Sequence, residues 1–246
     1  MSKDYTTKNG EKSIQRHALK NYETGTSWPA GSPWYHIVQK QLDLHSRDFI
    51  RRCTKKRDRI LIAGCGTKRY HLPGRKVIYM DLVGKLVEDC RFSIVGSIEK
   101  IPLKDASIDA VICVGSVLNY VSAVKTLSEF QRILRPGGKL LLEFENAKSF
   151  EFIPNGNYKK PCFWQSFDYN GQQHPQWTYS EQYIRSILKE KKLHITKRIP
   201  FHILSSMALG FGFDVDQVAF LAYADRLLRP LSKISASNIL YFIEKN

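Results

Sequence analysis

Long apolar runs and secretory features are missing from the sequence. In its 246 residues no apolar run reaches about 18 residues, so no membrane-spanning helix is expected. The stretch MSKDYTTKNGEKSIQRHALK at the N-terminus is polar and lacks the apolar core of a signal peptide. The five cysteines form an odd count without any C-x-x-C spacing. They therefore argue against a disulfide framework and a zinc site and favour the reducing cytoplasm.

Acidic residues are scarce relative to basic ones. The chain has 23 Asp and Glu against 38 Lys and Arg, a formal net charge of +15. The basic residues concentrate in three segments, RRCTKKRDR (51–59), KRYHLPGRK (68–76) and KEKKLHITKR (189–198). Such charge either attracts an anionic partner, such as nucleic acid, a phosphorylated substrate or a lipid surface, or simply covers solvated faces and element ends. The sequence leaves both interpretations open.

The length suits one α/β domain with a small cap, and it is too short for two large domains. Residues 1–25 show no sustained periodicity and are expected to form a flexible N-terminal arm, with residues 26–246 forming a single domain. The first helix is predicted to begin with Ser32 as N-cap and Pro33 at its first position.

Short apolar runs typical of buried parallel strands follow this helix. They are RILIAG (59–64), KVIYMDL (76–82), RFSIVG (91–96), DAVICVG (109–115) and KLLLEFE (139–145). A helix is predicted before the turn RPGG (135–138), and another where Thr178 and Glu181 have capping-box spacing. Two final strands are predicted at 193–201 and 238–244. This order predicts a Rossmann-like, doubly wound, mostly parallel seven-stranded sheet with helices on both faces.

Two segments stand outside the strand and helix pattern. Residues 146–178 are rich in aromatics and are predicted to be irregular, and residues 202–235 form a helical insert before the last strand. The apolar part of this insert, MALGFGFDVDQVAFLAYA, is interrupted by Asp214 and Asp216, as in a packed or lid helix. Both segments are predicted to cap a pocket.

Glycines and small polar residues follow the predicted strands at their carboxyl ends. In an open parallel sheet the ligand binds beyond these ends, at the topological switch point. The candidate residues are Ala63, Gly64, Cys65 and Gly66 after the first strand, Asp81 after the second, Gly96, Ser97 and Ile98 after the third, and Val114, Gly115 and Ser116 after the fourth. Glycine lets a ligand lie against the backbone, and a carboxylate at the second strand can accept two ribose hydroxyls.

The first glycine turn lacks the features that phosphate groups need. A dinucleotide site uses G-x-G-x-x-G at the start of a helix, because the helix N-terminus stabilises a pyrophosphate. Here the third glycine is absent, and Pro73 and Gly74 interrupt any helix after Gly66. The P-loop pattern is missing as well. A nucleoside ligand without phosphates needs only the glycines and the acid, and S-adenosylmethionine is such a ligand.

Four ordered motifs, ILIAGCGT, VIYMD, VGSIEKIPLKDASIDAVICVGSVLNYV and RILRPGGKLLLEFEN, span about residues 58–146. Together they resemble the class I S-adenosylmethionine-dependent methyltransferases, in particular the small-molecule, type 11-like branch. The resemblance implies that Gly64 and Gly66 approach the methionine and ribose, that Asp81 binds the ribose, that Ser97 and Ile98 flank the adenine, and that Gly115 underlies the methionine portion.

The chain departs from this family pattern at three positions. Ile62 stands where an acid is usual, Lys68 where the third glycine is usual, and Ser97 where an aspartate beside the adenine is usual. The connection from Asp81 to Arg91 is also short. These departures are expected to reshape cofactor binding.

Methyl transfer from a sulfonium depends mainly on orientation, because the leaving group is already good. An oxygen or nitrogen nucleophile can additionally require a base. His174 is the first candidate for that base, although a histidine on a surface loop is the alternative interpretation. Tyr120, Tyr35 and His36 are further candidates that are equally expected as packing residues. No metal is expected, since acids and histidines do not cluster at ligand spacing.

Three functions remain open at the sequence level. The first is transfer of a methyl group to an oxygen or nitrogen of a small metabolite in a closed pocket, with S-adenosylhomocysteine as the product and anionic or aromatic acceptors as candidates. The second is methylation of RNA or another polyanion, suggested by the charge; against it, VGSVLNY replaces the Asn-Pro-Pro-Tyr signature and no appended RNA-binding module is visible. The third is a catalytically inactive binding protein on the same fold.

Overall fold

The computed structural model describes residues 8–24, 32–169, 172–224, 227 and 229–246. The helices are α1 (Lys8–Glu23), α2 (Pro33–Cys53), α3 (Ala123–Ile133), α4 (Glu181–Glu190), α5 (Ile203–Gly210) and α6 (Val215–Val218). The strands are β1 (Arg59–Ala63), β2 (Lys76–Asp81), β3 (Ser93–Val95), β4 (Ile108–Cys113), β5 (Leu134–Glu145), β6 (Cys162–Tyr169), β7 (Gln172–Tyr179), β8 (Leu193–Phe201) and β9 (Asn238–Lys245).

Seven of these strands form one sheet in the order β3-β2-β1-β4-β5-β9-β8. Strand β9 runs antiparallel to both of its neighbours, and the remaining pairs are parallel. The chain moves outward from β1 to β3 and then crosses back to β4, so the carboxyl ends of β1 and β4 meet at the switch point. The predicted doubly wound, mostly parallel seven-stranded sheet is confirmed.

The sheet is buried on both faces because alternate side chains of each strand enter different cores. In β4, Val111 and Cys113 pack in the core that includes α3 and α4, whereas Ala110 and Ile112 pack in the core that includes α2. All four of these side chains are fully buried. Helices therefore cover both faces of the sheet, as predicted, with α3 and α4 on one face and α2 on the other.

No helix follows the first glycine turn. Residues 64–75, all of which the structure describes, contain turns only. Tyr79 of β2 holds this connection, since its hydroxyl accepts a hydrogen bond from the Tyr70 N–H at 2.9 Å and donates one to the Tyr70 carbonyl at 3.1 Å. The expectation that this glycine turn lacks a helix behind it is confirmed.

The structure confirms one predicted helix start and corrects another. The Ser32 hydroxyl caps α2 by accepting a hydrogen bond from the Tyr35 N–H at 3.3 Å. For α4, however, the N-cap is Ser180, which accepts from the Tyr183 N–H at 3.1 Å. The predicted capping box at Thr178 is wrong, because Thr178 belongs to β7 and pairs with Phe163 of β6.

The segment 146–178 is not irregular as predicted, because it contains the antiparallel hairpin β6–β7. The pairing runs from Cys162 opposite Tyr179 to Tyr169 opposite Gln172. The signal that could have identified the hairpin is the Asn-Gly pair at 170–171 between two aromatic runs, since this dipeptide is favoured in two-residue hairpin connections.

The predicted flexible N-terminal arm is wrong for residues 8–23, which form α1. Ile14 is fully buried in the main core. The Gln15 side chain donates a hydrogen bond to the Glu99 carboxylate at 2.7 Å, and the Asn21 amide donates one to the Gln173 carbonyl at 3.1 Å. Residues 1–7 and 25 lie outside the described part of the chain. The spacing of Ile14, Ala18 and Tyr22 at four residues is the helical signal that the sequence carried.

The insert at 202–235 is helical, as predicted, with α5, α6 and short 3₁₀ turns at Ala219–Ala224 and Arg229–Lys233. Helix α5 lies close to the turn Phe150–Phe152, where a Cβ on Gly210 would come within 2.9 Å of the Phe150 carbonyl oxygen. Among the helices that the structure describes, none has both the length and the apolar content needed to cross a membrane.

Candidate functional site

A cavity of about 330 Å³ opens at the carboxyl ends of β1, β2, β3 and β4. The predicted cofactor-binding residues that line it are Ala63, Gly64, Cys65, Gly66, Asp81, Gly96, Ser97, Ile98, Val114 and Gly115. Ser116 is absent from this lining and is buried. Four separate strand ends therefore contribute to one space, as the order of the motifs predicts.

The glycines of the site differ in what they permit. Gly64 has a φ of +67°, and a Cβ there would lie 2.4 Å from Cγ1 of Val117. Gly66 (φ +52°) and Gly115 (φ +91°) also have left-handed backbones, but open space surrounds the position of their missing Cβ atoms. Gly64 thus allows close packing of the chain, whereas Gly66 and Gly115 leave backbone accessible to a ligand.

The Asp81 carboxylate lies at the end of β2 and is held by backbone amides. Its Oδ2 accepts a hydrogen bond from the Gly66 N–H at 2.8 Å, and its Oδ1 accepts one from the Val83 N–H at 3.1 Å. Each carboxylate oxygen has a second lone pair. The group can therefore accept two further hydroxyl donors without losing its own support.

Glu99 connects the residues that follow β3 with helix α1. The Ser97 hydroxyl accepts a hydrogen bond from the Glu99 N–H at 3.3 Å. The Glu99 carboxylate accepts from Gln15 of α1 and, through its other oxygen, from the Ser122 N–H, both at 2.7 Å. Together with buried Ile98, this arrangement fixes the cavity wall where the resemblance predicts the adenine.

The turn at Gly115 is supported from below by Glu143, a residue that the sequence interpretation missed. Its Oε2 accepts hydrogen bonds from the N–H groups of Gly115 at 2.8 Å and Ser116 at 2.7 Å. Its Oε1 accepts from the Asn238 amide at 2.7 Å. Burial raises the pKa of Glu143, and these three donors oppose that rise by stabilising the carboxylate. An acid directly between Leu142 and Phe144 in the run KLLLEFE was the available sequence signal.

Lys68 is a second residue of the site with an unexpected position. It lines the cavity, and its ammonium nitrogen is shielded from solvent. Among the residues that the structure describes, this nitrogen has no hydrogen-bond partner. Burial lowers the pKa of Lys68, and the carboxylates of Asp43 and Glu143 partly oppose that change.

The structure separates the candidate catalytic residues into two groups. Tyr120 and Tyr35 line the cavity. His174 does not, and it lies buried in β7 with its Nδ1 3.5 Å from the Asn21 amide nitrogen, so it is not a surface-loop histidine either. His36 is exposed on α2 and also lies outside the lining. Position therefore favours the two tyrosines over the two histidines.

Helices α1 and α2 form the wall that faces the sheet edge. From α1 come Gln15, Ala18, Leu19 and Tyr22, and from α2 come Tyr35 and Gln39. The ring of Tyr22 meets that of Tyr120 edge-on, with 6.4 Å between centroids. Among the described residues of 146–178 and 202–235, none lines this cavity. The cap over it is therefore α1 and α2, and a lid role for the other two segments stays a prediction.

Comparison with known proteins agrees with this geometry. The family model described as a methyltransferase domain matches residues 61–142. The chain is 31% identical over 149 residues to malonyl-[acyl-carrier protein] O-methyltransferase of Yersinia pestis. The aligned segment covers 56% of this chain and 52% of the relative. It is 30% identical over 129 residues to the Serratia marcescens protein of the same name, covering 48% of this chain and 46% of the relative. The chain thus spans about half the length of these curated relatives.

Solved structures extend the similarity to the fold. A putative S-adenosylmethionine-dependent methyltransferase from Listeria monocytogenes has a TM-score of 0.60 at 12% identity, over 85% of this chain and 99% of that one. The 1,6-didemethyltoxoflavin-N1-methyltransferase of Burkholderia thailandensis, solved with its substrate and S-adenosylhomocysteine, has a TM-score of 0.56 at 13% identity, over 100% of this chain and 93% of that one. Residues 61–142 thus match a methyltransferase-domain family, and the chain has the fold of S-adenosylmethionine-dependent methyltransferases.

Proposed function

We propose that the protein transfers a methyl group from S-adenosylmethionine to an oxygen or nitrogen of a small molecule, and that it does so in the cytoplasm. The observation that carries the proposal is the convergence of Gly66, Gly115 and Asp81 on one cavity at the switch point of the sheet. No helix N-terminus follows the glycine turn in residues 64–75, so this turn favours an adenosyl ligand over a diphosphate.

The residues present fit this cofactor. Asp81 retains lone pairs for the ribose hydroxyls, the open backbone at Gly66 and Gly115 allows close approach, and Ile98 offers an apolar surface to the adenine. When bound, S-adenosylmethionine supplies a methyl group on a sulfonium that is ready for displacement. Backbone N–H groups already hold the Asp81 carboxylate at the end of β2.

The protein's own contribution to the reaction is orientation and exclusion of water. Tyr22 of α1 and Tyr35 of α2 line the cavity opposite the strand ends. These rings, together with Tyr120, present hydroxyl groups that can orient an acceptor and apolar faces that can hold it. Well-oriented reactants gain roughly 7–11 kcal/mol relative to free reactants in water, so these residues need not include a strong base.

The basic segments do not favour a polyanionic acceptor at this cavity. Arg59 and Lys76 are neighbours at the beginning of β1 and β2. They therefore lie at the edge of the sheet opposite to the carboxyl ends, where the cavity opens. Basic side chains elsewhere in these segments are already paired, as Arg52 with Asp48 at 2.5 Å and Arg198 with Glu181 at 2.7 Å. Apart from Lys68, which lines the cavity, the interpretation of these segments as solvated element ends is therefore preferred. Binding to tRNA that is tight at low salt and falls steeply with salt would reverse this preference.

The test is titration followed by an acceptor panel. Calorimetry with S-adenosylhomocysteine should show one binding site per chain. Transfer of labelled methyl groups should then be screened with carboxylated acyl thioesters and with nitrogen heterocycles, the acceptor types that the names of the similar proteins indicate. Failure to bind S-adenosylhomocysteine would contradict the proposal and support an inactive protein on the same fold.

A further inference from the structure

Lys68 lies in the connection after β1, where a local turn directs it toward the cavity. Its backbone N–H donates a hydrogen bond to the Cys65 carbonyl at 3.0 Å. The side chain then lines the same space as Gly66 and Gly115. Among the described residues that line this space, Lys68 carries the only positive charge and Asp81 the only carboxylate.

The ammonium group of Lys68 has no hydrogen-bond partner in the described part of the chain. The carboxylates of Asp43 and Glu143 act on it only electrostatically, and Glu143 accepts its hydrogen bonds from Gly115, Ser116 and Asn238. A shielded cation without hydrogen-bond acceptors is unfavourable unless a ligand supplies them. The cavity therefore contains a cationic position that an anionic ligand group would complete.

We propose that Lys68 is a carboxylate receptor and that it binds the carboxylate of the amino-acid part of the cofactor. This inference rests on the proposed function. Its location supports the assignment, because Glu143, which acts on the ammonium, also holds the Gly115 turn, where the resemblance places the methionine portion. A carboxylated methyl acceptor would offer the same chemistry, and the experiment distinguishes the two sources.

The experiment compares two ligands that share the adenosyl group. S-adenosylhomocysteine carries the amino-acid carboxylate, and 5′-methylthioadenosine lacks it. We expect Lys68→Met to weaken the calorimetric affinity for S-adenosylhomocysteine about ten- to a hundredfold, the usual effect of losing a charge-assisted hydrogen bond. Affinity for 5′-methylthioadenosine should change by less than about twofold, because that ligand does not reach the ammonium. Lys68→Arg should keep part of the preference.

A matched control and a stability measurement separate binding from structure. Lys85→Met removes one exposed lysine outside the cavity lining and should leave both affinities unchanged. The Tm of ligand-free Lys68→Met shows whether the fold is kept, because the substitution removes a positive charge that acts on buried Glu143. The same substitution should reduce the further rise in Tm that S-adenosylhomocysteine produces.

The possible results point to different conclusions. If the unmodified protein binds neither ligand, the proposed function itself fails. If it binds both and Lys68→Met weakens both equally, or changes the affinity for neither of them nor for a malonyl thioester, the carboxylate receptor is refuted while the cofactor site stands. If Lys68→Met spares both cofactor analogues but weakens binding of a malonyl thioester, the receptor is supported and its assignment to the cofactor is overturned.

Discussion

The carboxylate of Asp81 accepts a hydrogen bond from the backbone N–H of Gly66, with 2.8 Å between Oδ2 and the nitrogen. This bond joins the ends of β1 and β2 directly across the mouth of the cavity. The acid and the glycine turn therefore form one unit, in which the turn positions the carboxylate and the carboxylate fixes the turn.

Asp81→Ala should weaken S-adenosylhomocysteine binding about ten- to a hundredfold, because the ribose loses a charged acceptor. Calorimetric titration measures the change. Asp89→Ala removes an exposed acid that pairs with Arg69 on the nearby surface and should have little effect. Normal cofactor affinity in Asp81→Ala would show that the cofactor does not use this carboxylate.

Gly64→Ala should lower the free energy of unfolding by about 2–4 kcal/mol, as the sum of a left-handed backbone cost and an overpacking cost. The added Cβ would lie 2.4 Å from Cγ1 of Val117. Gly156→Ala is the matched control, since Gly156 has a nearly identical φ of +69° with open space around its missing Cβ. Denaturant unfolding of both variants isolates the contact with Val117.

A double variant tests the cause of that difference. Val117→Ala removes both Cγ atoms that the new methyl group would meet. In the Gly64→Ala background it should therefore recover about 1–2 kcal/mol relative to the additive expectation. Purely additive losses would mean that the left-handed backbone, and not the contact, sets the cost.

His202 should make the folded protein sensitive to mild acid. It is fully buried against Trp34, with 3.8 Å between ring centroids, and burial lowers its pKa from 6.5 to about 3. Between these values the unfolded chain binds a proton that the folded protein does not, so stability is present above the unfolded pKa and falls as the pH falls. The expected loss from this group is about 2 kcal/mol between pH 7 and pH 5.

Urea unfolding at several pH values measures this dependence. His202→Phe keeps a ring beside Trp34 and should remove about that part of the acid sensitivity, whereas replacement of exposed His71 by Gln should preserve it. An unchanged pH slope in His202→Phe would show that His202 is not the source of the sensitivity.

Docking of α1 should contribute to ligand binding. Gln15→Glu would place a second carboxylate beside Glu99, where the present contact is a hydrogen bond of 2.7 Å, and like charges at this separation repel. If α1 then leaves the cavity in most molecules, the apparent affinity for S-adenosylhomocysteine falls in proportion, by about three- to tenfold. Hydrogen exchange of the α1 amides should accelerate in parallel.

The control for α1 adds the same charge on its outer side. His17 is exposed on α1 and does not line the cavity, so His17→Glu should alter neither affinity nor exchange appreciably. An affinity that is equal in Gln15→Glu and in the original protein would show that closure by α1 is not needed for binding.

Local patterns predicted the strands of the large sheet and the glycine turn after β1 because the requirements of both are local. Buried parallel strands need continuous apolar runs, and a tight turn such as that at Gly66 needs a left-handed backbone that glycine adopts readily. The hairpin β6–β7 and the N-cap at Ser180 were missed. Both depend on strand pairing, because Thr178 is part of β7 and the next helix is therefore capped by Ser180.

By itself, the sequence determined the doubly wound, mostly parallel seven-stranded sheet, the glycine turn without a helix, and the acid at the end of β2. Only the tertiary structure decided that α1 covers the cavity, that His174 packs away from it, and that the Lys68 ammonium is shielded inside it. The physical reason is that apolar periodicity acts over a few residues along the chain. The burial of a particular polar group, by contrast, depends on distant segments, such as Glu143 of β5 beneath Gly115, that only folding brings together.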